Sequence, residues 1–163
     1  MKKVAIVMGS DSDLGTMEKA IDTLRKLNVE FEVRVISAHR TPEACAYFSR
    51  EAENNGFGAI IAAAGKAAHL AGAIAANTLL PVIGVPIKSS TLDGLDALLS
   101  TVQMPAGMPV ATVAIDGAQN AAILAAQILS GSDEALRARL KKMRQEMTEK
   151  VMEKDAIVRE QYK

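Results

Sequence analysis

Tryptophan is absent, aromatic residues make up only 3% of the chain, and cysteine occurs once. The aromatic poverty removes the stacking platforms on which nucleic-acid bases and flavin rings rest. The lone Cys45 has no intrachain partner, so no disulfide framework holds the fold. Neither charge is in excess: nineteen Lys and Arg cancel nineteen Asp and Glu. With the basic residues dispersed, the footprint of a nucleic-acid or anionic-membrane binder is missing. No apolar run approaches the ~20 residues that span a bilayer. The opening Met1-Lys2-Lys3 leads straight into Val4-Ala5-Ile6-Val7-Met8, too short for a secretory leader and ended by Gly9. These absences favour a cytoplasmic protein with a small-molecule ligand and neither nucleic acid nor membrane as partner.

What is present is enough apolar residue, 49% of 163, for one domain with a core. Short apolar runs recur at Val4–Met8, Phe31–Ile36, Ala59–Ala63, Val82–Val85 and Val110–Ile115. Between and after them lie stretches of helical spacing or composition, roughly Leu14–Leu27, Pro42–Asn54, Ala67–Asn77, Gly94–Thr101 and Ala118–Leu129. The alternation predicts an α/β fold, a doubly wound sandwich around a five-stranded parallel sheet. Asn28, Asn55-Gly56 and Gly131 supply helix stops.

Residues 132–163 differ in kind from the sandwich of 1–131, although both belong to one domain. Glu, Lys and Arg run throughout, with an apolar seam at Leu136, Leu140, Met143, Met147 and Val151. Ser132 is the expected N-cap, with Asp133 and Glu134 in the first turn. A helix of this length reaches ~40 Å, beyond the width of the sandwich, so part of the seam lacks a partner in its own subunit. Either another subunit covers it or the helix end is solvated.

In an open α/β sheet the chemistry sits where strands give way to helices. After the second run stands Ser37-Ala38-His39-Arg40-Thr41-Pro42, an imidazole beside a guanidinium, with Pro42 fixing the first helical turn. One titrates near neutrality and the other does not, a pairing suited to proton transfer beside an anchored phosphate. After the first run come Gly9-Ser10-Asp11-Ser12-Asp13, whose hydroxyls suit a phosphate and whose carboxylates suit sugar hydroxyls, although Ser and Asp at a helix start also serve as caps. The loop matches neither the Walker pattern nor the dinucleotide fingerprint. After the third run Ala64-Gly65-Lys66-Ala67-Ala68-His69-Leu70 holds the second histidine among small residues that leave room for a ligand. Two further loops, Pro86–Asp93 and Gln103–Pro109, are candidates to cover the crevice.

Taken together, Met8–Asp13, Ser37–Pro42, Ala67–Leu70, Val85-Pro86, Val102–Pro105 and Asn120–Ala122 resemble the N5-carboxyaminoimidazole ribonucleotide mutase (PurE) family, in order across the whole chain. The resemblance implies a flavodoxin-like fold. It implies reversible movement of a carboxylate from the exocyclic nitrogen of an aminoimidazole ribonucleotide to ring carbon 4, without cofactor or metal. It makes His39 the catalytic acid/base and Ser10, Ser12, Asp13, Ser37, Arg40, Gly65, His69 and Leu70 the substrate-binding set. Within that set Ser10, Arg40 and Ser37 would hold the phosphate, Asp13 the ribose, and His69 and Leu70 the carboxylate or released carbon dioxide. Homo-octamers with C-terminal helices packed on neighbours are also implied.

The chain departs from the family pattern at Lys66, where Gly is usual, and at Ala71, where Pro is usual. The related carboxylase branch, which takes carbon dioxide directly, often has Arg at the Lys66 position; the retained Ala67-Ala68-His69-Leu70 and Arg40 favour the mutase. An ammonium is costly in a small dry pocket, so Lys66 is expected to point outward. A phospho-acceptor receiver domain would need Asp where Ala63 and Ala64 stand, and a flavin carrier would need aromatic residues in the crevice loops. A non-catalytic binder of phosphate ligands stays open as an alternative.

Overall fold

A computed structural model describes residues 2–163; Met1, placed ahead of the first strand in the sequence reading, lies outside the described residues. Five parallel strands, β1 (Lys3–Met8), β2 (Phe31–Val35), β3 (Phe57–Gly65), β4 (Val82–Ile87) and β5 (Ala111–Thr112), form one sheet in the order β2-β1-β3-β4-β5. The connecting helices are α1 (Leu14–Lys26), α2 (Pro42–Glu51), α3 (Leu70–Ala75), α4 (Leu95–Val102) and α5 (Ala118–Leu129), followed by α6 (Glu134–Gln161).

Strand periodicity sorts side chains between two cores. From β1, Val4, Ile6 and Met8 enter the layer beneath α1 and α5, while Ala5 and Val7 face α2 and α3. From β3, Ala59, Ile61 and Ala63 join the first layer and Ile60 and Ala62 the second. Small residues let the layers approach: α5 contributes the fully buried Ala118, Ala121, Ala122, Ala125 and Ala126. On the other face α4 sits so close to β4 that a Cβ on Gly84 would lie 2.4 Å from Thr101 Cγ2.

Three elements are shorter than their apolar patterns. The run Val110–Ile115 pairs with β4 only at Ala111 and Thr112, because Asp116 turns back in the left-handed region at φ 56°. Its backbone N–H donates to Pro86 O (2.8 Å) and its carboxylate accepts from Lys88 N–H (2.9 Å). The departure of β5 also explains why Pro86 is tolerated in an inner strand, since its missing donor faces the side where pairing has stopped. Helix α3 starts three residues after Ala67, because Lys66 takes φ 58° and a tight turn follows. Helix α2 ends at Glu51 rather than Asn54, in a turn closed by Gly56 at φ 82°.

The cap of α6 is a correction. Asp133, not Ser132, is the N-cap: its carboxylate accepts from Leu136 N–H at 2.8 Å, while Ser132 belongs to a preceding short 3-10 turn. An aspartate at the N-cap also places its charge against the helix's positive end. The root of α6 is anchored by the buried Leu136 and Leu140, by Met143 packed on the same core, and by Arg139 Nε donating to Leu27 O at 2.7 Å. Beyond it Met147, Val151, Met152, Ile157 and Val158 are exposed. Leu136→Ala is expected to destabilise the chain by about 2–5 kcal/mol, the cost of a core cavity, as measured by urea denaturation.

Candidate active site

Because all five strands are parallel, their carboxyl ends share one edge, and the loops after β1, β2, β3 and β4 enclose a crevice of about 500 Å³ there. The first wall is the β1 loop. Gly9 N–H continues the ladder to Ala63 O (3.0 Å), and Ser10 then caps a 3-10 turn, Asp11–Asp13, its Oγ accepting from Ser12 N–H (3.3 Å) and from Ser12 Oγ (2.9 Å). Ser10, Ser12 and Asp13 line the crevice, joined by Thr16 one turn into α1.

The second wall is the turn after β2, cross-braced at both ends. Ser37 N–H donates to Thr41 Oγ1 (3.0 Å), Thr41 Oγ1 donates to Ser37 O (2.9 Å), and Arg40 N–H donates to Ser37 Oγ (3.1 Å). Pro42 opens α2 directly after it. The bracing uses the Ser37 hydroxyl oxygen as an acceptor and leaves the His39 and Arg40 side chains exposed on the crevice rim. Neither has a side-chain hydrogen bond or ion pair among the described residues, so both are free to engage a ligand.

Gly65, Lys66, Ala67, His69 and Leu70 from the β3 loop form the floor and third wall. Leu70 is 3% exposed and supplies an apolar surface, while His69 precedes α3 with Nδ1 3.3 Å from Ser100 O. Lys66 is exposed and has no ion pair among the described residues. The nine residues singled out in the sequence therefore border one crevice. Not singled out were Thr16, Ile87 at the end of β4, and Lys88 and Ser89 just after it. The last three belong to the Ser- and Thr-rich stretch flagged as a cover. Their signal was position alone, the carboxyl end of a strand.

The loop Gln103–Pro109 is a correction. Gly107, Met108 and Pro109 line a separate cleft of about 870 Å³ with Leu79, Leu80 and Val82. A segment that precedes a parallel strand arrives at the amino edge of the sheet, away from the carboxyl edge. The cleft contains no histidine and no paired hydroxyls, whereas the smaller crevice gathers both.

The crevice lining carries Arg40, Lys66 and Lys88 against a single carboxylate, Asp13, so it attracts anions. Lys88 is partly neutralised by Asp93 at 3.2 Å. Asp13 is 8% exposed. Burial pushes its carboxyl above the ordinary aspartate range, with the charges of Asp11 and Asp116 adding and hydrogen bonds from the Ser10 backbone and Ser12 hydroxyl opposing. Among the described residues no three His, Cys, Asp or Glu side chains gather as a metal cage requires. The arrangement can grip a phosphorylated, polyhydroxylated ligand and bring imidazole side chains to the same crevice.

A family model described as AIR carboxylase matches residues 3–150. The N5-carboxyaminoimidazole ribonucleotide mutase of Pyrococcus abyssi is 58% identical over 147 residues, 90% of this chain and 84% of that protein. That of Haemophilus influenzae is 54% identical over 153 residues, 93% of each chain. Among solved structures, PurE of Treponema denticola superimposes with a TM-score of 0.86 at 32% identity, covering 94% of this chain and 96% of that one.

The shift at Asp13 has a definite sign in stability. The folded state binds this proton more tightly than the unfolded chain, so the penalty for ionising Asp13 is absent below the unfolded value of 3.8 and appears as pH rises through the folded one. Asp13→Asn is expected to melt higher than the parent near neutral pH and to lose that advantage as the pH approaches 3.8. Calorimetry across that range checks it.

Proposed function

The chain belongs to the AIR carboxylase family, and from that premise we propose that it is an N5-carboxyaminoimidazole ribonucleotide mutase, an isomerase of purine biosynthesis that forms 4-carboxy-5-aminoimidazole ribonucleotide. The observation that carries the reading is the crevice itself: a braced His39-Arg40 turn facing a hydroxyl-rich loop and an apolar, small-residue floor. Relatives named as mutases at 54–58% identity over nine-tenths of the chain support it over direct carboxylation.

Arg40 binds the substrate phosphate through its guanidinium, with the Ser10 and Ser12 hydroxyls beside it. The Ser37 hydroxyl contributes by fixing the Arg40 backbone, and Asp13 accepts from the ribose hydroxyls. With the ring so held, the bond between the exocyclic nitrogen and the carboxylate carbon breaks. Its electron pair stays on nitrogen, His39 donates a proton there, and carbon dioxide is released. Gly65, Ala67 and Leu70 keep that neutral fragment beside the ring in a space poor in water. Carbon 4 then attacks it, and His39 takes the displaced carbon 4 proton, so the proton count balances and one imidazole serves both steps. Phosphate anchoring keeps the fragment and carbon 4 in register between them.

A homo-octamer is part of the same proposal. The exposed Met147, Val151, Met152, Ile157 and Val158 on the outer half of α6 support packing on neighbouring subunits. The buried free thiol of Cys45 is compatible with the cytoplasm.

The deciding assay compares N5-carboxyaminoimidazole ribonucleotide with aminoimidazole ribonucleotide plus bicarbonate. Turnover of the first alone is expected, and preference for the second makes the chain a carboxylase. His39→Asn is expected to bind substrate within a few-fold of the parent with turnover lost; retention of a tenth of the activity would remove His39 from proton transfer. Deletion of residues 144–163 is expected to leave a folded domain that sediments as smaller species, and an unchanged large oligomer would place the interface elsewhere.

A further inference from the structure

His69 is held by more than its place in the chain. Its imidazole lies over Gly72, one turn into α3, so closely that a Cβ there would stand 2.2 Å from Cε1, 2.5 Å from Nε2 and 2.8 Å from Nδ1. Real Cβ contacts do not reach such distances, so the ring occupies a seat that exists only because residue 72 has no side chain. Gly72 is buried inside a helix, where glycine is a poor helix former, and its backbone is not left-handed. Helix geometry gives no reason for it; the ring does.

Two contacts from the last turn of α4 complete the seat. Nδ1 lies 3.3 Å from Ser100 O. A carbonyl only accepts, so the bond requires the proton on Nδ1, and a neutral ring then has its lone pair on Nε2. The next residue, Thr101, is 2% exposed, and its single hydroxyl proton is shared between Ala97 O of its own helix (2.7 Å) and Ala68 O (3.0 Å), so that it braces the backbone just before His69 against α4. Thr101 fits because β4 carries Gly84 opposite it.

We propose that Gly72 is a positioning residue for His69, which with the Ser100 carbonyl and the Thr101 hydroxyl sets the ring orientation and holds it as the Nδ1–H tautomer, leaving Nε2 as the hydrogen-bond acceptor offered to the crevice. Resting on the function proposed above, this gives His69 a narrower task than lining. Nε2 accepts a hydrogen bond from the substrate's amino group as that nitrogen gains its proton. Proton donation stays with His39.

The chain has only two histidines, so imidazole nitrogen resonances of ¹⁵N-labelled protein are assigned by comparison with His69→Asn. The parent is expected to show the His69 ring at neutral pH with Nδ1 protonated and Nε2 bare. Gly72→Ala is expected to remove that pattern, shifting the ring toward the Nε2–H form preferred by free imidazole, and to lower kcat/KM by about tenfold or more while the melting temperature stays near the parent's. Thr101→Val, nearly isosteric, provides a second variant should the first fold poorly; it is expected to loosen the tautomer preference in the same direction. In a His69→Ala background, Gly72→Ala is expected to add no further loss, because its effect passes through the ring. A parent His69 protonated on Nε2, or a Gly72→Ala protein with unchanged resonances, would overturn the proposal, as would an additive double variant. Full activity of His69→Ala with the tautomer results as expected would instead refute the part given to His69 in the reaction and leave the positioning intact, so the two failures are told apart.

Discussion

The ladder that ties β1 to its two parallel neighbours is the constraint on which the crevice depends. It does not stop at the strand ends. Gly9 N–H donates to Ala63 O at 3.0 Å and Ile36 N–H donates to Met8 O at 2.9 Å, so each pairing runs one residue past its strand. Those bonds bring the Ser10 loop, the Ser37 turn and the start of the Ala64 loop to one place before any side chain contributes. A buried ladder bond left unmade costs about 1–3 kcal/mol, so these loops are not free to drift apart. The groups that line the crevice are loop residues with sheet-like placement.

A second dependence is on smallness. The core is narrow wherever elements must approach: alanine along the inner face of α5, Gly84 beneath Thr101, Gly72 beneath His69. Each is a place where bulk is withheld so that another side chain can be held still. Lys66 is the contrary case. It holds a left-handed backbone at φ 58° without being glycine, a strain on the order of 1 kcal/mol that a glycine there would relieve.

How far the chain could be read without coordinates follows from which signals are local. Helix α5 runs from Ala118 to Leu129 as its composition indicates, because an apolar alanine-rich stretch has one helical face to bury and few competitors. The central strands were legible because a strand buried on both faces is a continuous apolar run. The end of β5 was not, since it depends on Asp116 reaching back to Pro86 and Lys88 across the sheet. The cap of α6 went to Asp133 over Ser132 on a one-residue difference that two good capping residues in succession conceal. At the crevice, histidine, arginine and the Ser/Asp loop were legible because strand ends collect on one edge. Thr16 and Lys88 were not, being chemically ordinary until neighbours are known. The seat under His69 was invisible, since no pattern relates Gly72 and Ser100, from different helices, to one ring.

Helix α6 is a lever. Its fulcrum is the short root where Leu136, Leu140 and Met143 meet the core and Arg139 ties to Leu27 O. Past Met143 some eighteen helical residues extend without support from their own domain, an arm of about 27 Å. A tilt of about 5° at the root displaces its tip by about 2 Å, a large fraction of a side-chain contact distance. Small changes of volume at the fulcrum are therefore magnified at the tip of the arm. The three apolar side chains at the root, rather than those at the tip, set the direction in which the arm leaves the domain.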